Sequence, residues 1–140
     1  MTITDIYDFV VYNFVVWRTI MAASDPALQE LLPLTPAVFH VLLALSSGPR
    51  HGYAIMKDVE ALTEGQMVMG PGTLYGTIKR MLPADLIEET EAPAGEDLDD
   101  RPRRFYQLTG HGRHLLAAEA IRLERLVRAA RARQVLRGAG

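Results

Sequence analysis

The chain has 140 residues, 49% of them apolar, and a formal net charge of -2, a size that fits one ordinary domain with a modest core. It has no cysteine, which excludes disulfides, thiolate metal centres and a thiol nucleophile and suits a reducing cytoplasm, the expected compartment. The net charge conceals an asymmetry: ten arginines and two glutamates lie between Arg101 and Gly140, whereas Asp85 to Asp100 holds eight acids and no base. Such local fields act over about 8–10 Å and say more about partners than the whole-chain charge.

The first segment, "IYDFVVYNFVVWRTIM", is strongly apolar but is interrupted by Asp8, Asn13 and Arg18. A bilayer span needs about 20 apolar residues with few charges, and a secretory leader begins basic, whereas Asp5 and Asp8 come first here. Neither is expected. Ile6, Phe9, Val10, Phe14, Trp17, Ile20 and Met21 form one stripe at helical spacing, while the β-branched and aromatic content also suits a strand. The expectation is a helix that buries this stripe, Phe14 and Trp17 included, against a partner subunit. With the short connection "ASDPALQELLPL" it makes an extension over residues 1–33.

Next, Thr35 is placed as an N-cap with Pro36 at the first helical position, and Val38, Phe39, Val41, Leu42 and Leu45 make an apolar face that ends at "SSGP". A second helix is expected from about His51 to Leu62, with Ile55, Val59 and Leu62 at helical spacing and Lys57, Asp58 and Glu60 on the wet side. A third begins at Gly70-Pro71 and runs through "GTLYGTIKRML", with Leu74, Ile78, Met81 and Leu82 inward and Thr73, Thr77, Lys79 and Arg80 pointing elsewhere; Pro83 closes it. "DLIEETEAP" and "RRFYQLT" alternate as two strands around a Pro-, Gly- and Asp-rich loop. Thr109 then starts a long helix to about Leu136, with Leu116, Ala120, Leu123, Val127 and Ala130 on its apolar face. The fold class is mainly α with a small β-hairpin. Its order of elements is that of a winged helix-turn-helix over residues 34–108, followed by a C-terminal dimerisation helix over residues 109–140.

Four stretches, "HGYAIMKDVE", "GPGTLYGTIKRML", "DLIEE" and "RPRRFYQLTGHG", resemble the PadR family of bacterial transcriptional regulators, in order and spacing, from about Leu34 to Arg131. The single short C-terminal helix is similar to the compact branch of that family. The resemblance implies a homodimer, binding of double-stranded operator DNA, and repression relieved by a small effector. One departure is Asp85, where the family usually has glycine; aspartate tolerates the left-handed conformation better than most residues, though less well than glycine.

Under this reading the third helix is the recognition element. Its N-terminus carries backbone N–H groups suited to phosphate. Gly72 allows close approach, Thr73 and Thr77 can touch phosphates or thymine methyls, Tyr75 offers a ring and a hydroxyl, and Lys79 and Arg80 reach for phosphates. Tyr53, at the start of the second helix, can give a phosphate its hydroxyl. Both tyrosines fit core packing as well. Arg101, Arg103 and Arg104 lie where the wing returns to the sheet and can enter a narrow minor groove; strand alternation separates Arg104 from the other two, so Arg104 can instead pair with Glu88 or Glu89. Arg122, Arg125, Arg128 and Arg131 read as a solvated face or as partners for acids of a second subunit. Phe39 and Trp17 are candidates for an effector pocket, and for plain core.

His111 and His114 have a metal-compatible spacing, but a closed site wants four ligands, so neither a metal nor another cofactor is expected. No Ser/His/Asp set or paired carboxylates stand out, and "GPGTLYG" lacks the Lys-Ser/Thr ending of a phosphate loop, so no enzyme is expected. The rival expectation is a winged helix that has lost DNA binding and pairs with protein.

Overall fold

The computed structural model describes residues 2–95 and 103–137. The chain divides into two compact units, residues 34–116 and a second made of residues 1–33 with 117–140.

In the first unit, α3 (Pro36–Leu45) starts as its sequence dictates: Thr35 Oγ1 accepts from Val38 N–H at 3.3 Å, with Pro36 in the first turn. It buries Val41, Leu42, Ala44 and Leu45. The helix α4 (Gly52–Leu62) buries Ile55 and Val59, and α5 (Pro71–Met81) buries Leu74, Thr77, Ile78 and Met81. Phe105, Ile87 and Leu115 complete this core. Thr77 corrects the sequence reading. It was expected to point away from the core, but it falls between Leu74 and Met81 on the inward stripe and is 0% exposed. Its hydroxyl donates to the Thr73 carbonyl at 2.7 Å, which removes the cost of burying it.

The expected hairpin is present as β2 (Ile87–Thr90) and β3 (Phe105–Leu108), antiparallel, with Glu88 opposite Gln107 and Glu89 opposite Tyr106. A third strand, β1 (Arg50–His51), pairs with the other edge of β3, giving the order β1-β3-β2. Two residues are too few for a period-2 pattern to register. Arg50 fixes this strand to the end of α3, donating to the Ala44 carbonyl at 3.1 Å and to Ser47 Oγ at 2.9 Å. As the central strand, β3 buries both Phe105 and Tyr106, so inward–outward alternation is lost there.

The wing is joined to α6 (Gly110–Ala132) by a compact knot. Thr109 Oγ1 donates to the Asp85 carbonyl at 2.5 Å and accepts from Gly112 N–H at 2.9 Å, and Thr109 N–H donates to the Leu86 carbonyl at 3.1 Å. Asp85 adopts φ 58, the left-handed conformation that the resemblance, with its usual glycine here, implies. Any Cβ on Gly112 would overlap the Leu86 carbonyl, so only glycine lets α6 approach the strand so closely. The first turns of α6 belong to this unit, and Leu116, at its end, is buried in the chain. The expectation that Leu116 faces a partner subunit is thereby corrected: this chain covers it already.

The second unit contains α1 (Ile3–Ala23), the single turn α2 (Pro26–Gln29) and the later turns of α6. A reciprocal capping box starts α1: Asp5 N–H donates to Thr2 Oγ1 at 3.2 Å and Thr2 N–H donates to the Asp5 carboxylate at 3.0 Å. The Thr2 hydroxyl, donating to the Asp5 carboxylate at 2.7 Å, and after it the Thr2 N–H hold the Asp5 carboxyl below its ordinary value. The segment is thus a helix, not a strand, and of its residues only Ala23 is buried. No helix among the described residues is long and apolar enough to cross a membrane.

Candidate nucleic-acid interface

The start of α4, the outer face of α5 and the wing end of β3 meet around a cleft of about 590 Å³. His51, Gly52 and Tyr53 come from β1 and α4, Tyr75 from α5, and Arg103, Arg104 and Tyr106 from the wing. Among the described residues no carboxylate lines it, so its walls are basic and phenolic.

His51 organises one side. Its Nδ1 accepts from Ala54 N–H at 3.2 Å, capping α4. Arg103 Nη1 lies 3.2 Å from His51 Nε2, so the guanidinium and the imidazole stand side by side at the cleft. The His51 ring stacks near Tyr53 (6.5 Å between centroids) and meets Phe105 edge-on at 5.4 Å. Lys57 Nζ sits 5.7 Å from the Tyr53 ring centre. Tyr53 and Tyr75 are 59% and 51% exposed, which removes the core-packing alternative for both.

On the other side Arg104 pairs with Glu89 at 3.7 Å, as strand alternation allowed, while Gln107 donates to Glu88 at 2.8 Å. Burial, followed by the Glu89 carboxylate, pushes the Tyr106 phenol above its ordinary value, so the hydroxyl remains a donor at neutral pH. Gly70 caps α5 without a side-chain acceptor, and Gly70, Pro71, Gly72 and Thr73 are all exposed. The first turn of α5 thus keeps backbone N–H groups for an outside acceptor. Lys79 and Arg80 are exposed near the far end of α5, with Arg80 Nη2 turned back to 3.5 Å from Thr77 Oγ1.

Of the residues singled out from sequence, Tyr53, Tyr75, Arg103 and Arg104 are brought together in the cleft, and Gly72 and Thr73 are exposed at the start of α5. Arg101 lies outside the described residues. His51, Gly52 and Tyr106 line the cleft although no role was drawn for them from sequence; the signal for His51 was its place directly before an apolar-periodic helix, where a side-chain acceptor caps. In the second unit Phe14, Trp17, Ala120 and Val127 are exposed, and Leu123 and Ala130 are half-buried. Phe39 is half-buried against the His40 ring, edge-on at 5.6 Å. No group of three metal-ligating side chains occurs among the described residues.

Residues 41–118 match the Transcriptional regulator PadR-like family. The chain belongs to that family. Members of that family are transcriptional regulators. A 37.1 kDa protein of transposon TN4556 from Streptomyces fradiae is 40% identical over 86 residues, which are 61% of this chain and 22% of that protein. The chain therefore matches only about a fifth of that relative's length. Among solved structures, a PadR family regulator from Clostridium difficile superposes with TM-score 0.58 at 19% identity, over 70% of this chain and 97% of that one. A regulator from Clostridium thermocellum gives 0.56 at 18% identity, over 78% and 95%. PadR of Bacillus subtilis in complex with operator DNA gives 0.52 at 20% identity, over 64% and 49%. At such identities these likenesses speak for the PadR fold: a mainly helical winged helix-turn-helix with a long C-terminal helix.

Proposed function

We propose that this protein is a cytoplasmic, homodimeric, sequence-specific DNA-binding repressor whose repression a small effector relieves. The single observation that carries DNA binding is the cleft, where two guanidinium groups, a histidine and three phenols from the winged unit converge, Arg104 steadied by Glu89. This is a wall for a backbone phosphate, beside the uncapped start of α5. The fold neighbour from Bacillus subtilis, solved with operator DNA, supports the same assignment. In this reading α5 enters the major groove, α4 abuts the sugar-phosphate backbone through Tyr53, and Arg103 and Arg104 of the wing reach the neighbouring strand. Gly72, Thr73, Tyr75, Lys79 and Arg80 are the contacts on α5, and Arg101 extends the basic run of the wing. The exposed apolar residues of α1, with those of α6, support the dimer. A two-fold pair of recognition helices reads successive major grooves about 34 Å apart, so the operator is a near-palindrome.

The test is a mobility shift with DNA from upstream of the protein's own gene at two salt concentrations. The expected complex weakens steeply with salt, since phosphate contacts release counterions. Arg103→Ala is expected to weaken binding about tenfold, an effect of about 1.4 kcal/mol, across all sequences. Absence of any salt-sensitive complex would turn the reading toward a protein-interaction module.

A further inference from the structure

The geometry points to Gly52 as a positioning residue for Tyr75. This inference rests on the DNA-binding reading above and deepens it. Gly52 is buried at the first position of α4, directly after the His51 cap. A Cβ built there would lie 2.5 Å from the Tyr75 hydroxyl oxygen, 3.0 Å from its Cζ and 3.3 Å from Leu74 Cδ2. The Tyr75 side chain therefore lies across the N-terminal turn of α4, in space that exists because residue 52 has no side chain.

The consequence concerns the placement of one hydroxyl. Tyr75 is half-exposed, and among the described residues nothing is hydrogen-bonded to its hydroxyl. That oxygen stands at the start of a helix, where the dipole is positive, and in the same cleft as Arg103, Arg104 and Tyr106. Seated on Gly52, the phenol is fixed as a donor toward an anionic oxygen entering the cleft. Nothing in the fold of α4 itself requires glycine here: no positive φ is recorded for Gly52, and alanine is the better helix former. A methyl group would meet the far end of a flexible ring, so the ring swings out and the fold stays.

The test is a double-mutant cycle on the full chain. Gly52→Ala is expected to keep the melting temperature of the wild type or raise it slightly, yet to weaken the operator complex several-fold, as much as loss of the Tyr75 hydroxyl does. Tyr75→Phe removes the hydroxyl and is expected to weaken the complex several-fold. The double variant should bind like Tyr75→Phe alone, within about twofold, because a shifted hydroxyl and a missing one are equivalent. Losses that multiply, or a Gly52→Ala protein with wild-type affinity, overturn the inference while leaving DNA binding intact. A nuclear Overhauser contact between the Gly52 Hα protons and the Tyr75 ring reports the seat without DNA. It should be present in the wild type and lost in Gly52→Ala, and its absence from the wild type overturns the inference even if no operator complex forms.

Discussion

Two helices of this protein carry comparable apolar content and meet opposite fates. Helix α3 has four fully buried residues among its ten, whereas α1, at 21 residues, buries only Ala23 and leaves Phe9, Phe14 and Trp17 more than half exposed. The difference lies in what each helix finds to pack against. In the winged unit α4, α5 and the sheet offer apolar faces to α3, and the core closes within one chain. For α1 the described residues of its own unit supply no such cover, and a continuous exposed apolar helix is the mark of an interaction surface. Apolar residues state that a surface is to be buried; the fold decides whether one copy of the chain suffices.

This contrast can be broken from either side. The largest effect is expected in the core of the winged unit: Phe105→Ala, at a ring 1% exposed, should lower unfolding stability by about 3–5 kcal/mol in a urea titration. Equal stability of this variant and the wild type would mean that the unit is not self-contained. On α1 the effect should be on association instead. Trp17→Asp should raise the dimer dissociation constant at least tenfold, about 1.4 kcal/mol, in light scattering across a dilution series. A wild-type protein that is monomeric at micromolar concentration would remove the assigned role of α1.

Smaller effects sharpen the account of the wing. Asp85 at φ 58 meets a backbone conformation that glycine adopts more readily, so Asp85→Gly is expected to stabilise the protein by about 0.5–1 kcal/mol in thermal melts. The smallest effect concerns Tyr106, whose phenol is raised above 10.0 by burial first and by Glu89 second. A raised value favours the protonated folded form, so this contribution is complete below about pH 10 and is lost as pH rises further. Between about pH 9 and pH 11 the wild type should lose more stability than Tyr106→Phe. Parallel curves would show that the phenol does not couple to folding.

Much of the fold is legible without coordinates because its signals are local. Thr35-Pro36 and Gly70-Pro71 mark the starts of α3 and α5, and the expected cap of the last helix, Thr109, is found bonded to Gly112 N–H. Each depends on groups within about one turn. The site is legible in part for the same reason. Tyr53 and Tyr75 sit beside the Gly-rich helix starts that draw attention to them, and the Arg103-Arg104 pair stands out as a charge cluster. Thr77 escaped because a helix's inward stripe has a width that spacing alone does not fix, and a threonine whose hydroxyl bonds to its own helix can occupy it. Leu116 escaped because an apolar helix face does not record which neighbour covers each of its turns.

By itself the sequence determined where α3, α4 and α5 begin and end and that a hairpin follows them, since these follow from backbone chemistry and periodicity over a few residues; the last helix stops at Ala132, short of the expected Leu136. Only the tertiary structure decided that β1 joins the sheet, that His51 caps α4 beside Arg103, and that Tyr75 rests on Gly52. Those facts depend on residues as far apart in sequence as Arg50 and Tyr106, His51 and Arg103, and Gly52 and Tyr75 meeting at contact distance. Such meetings are set by the shape of the whole core, which no short stretch of the chain encodes.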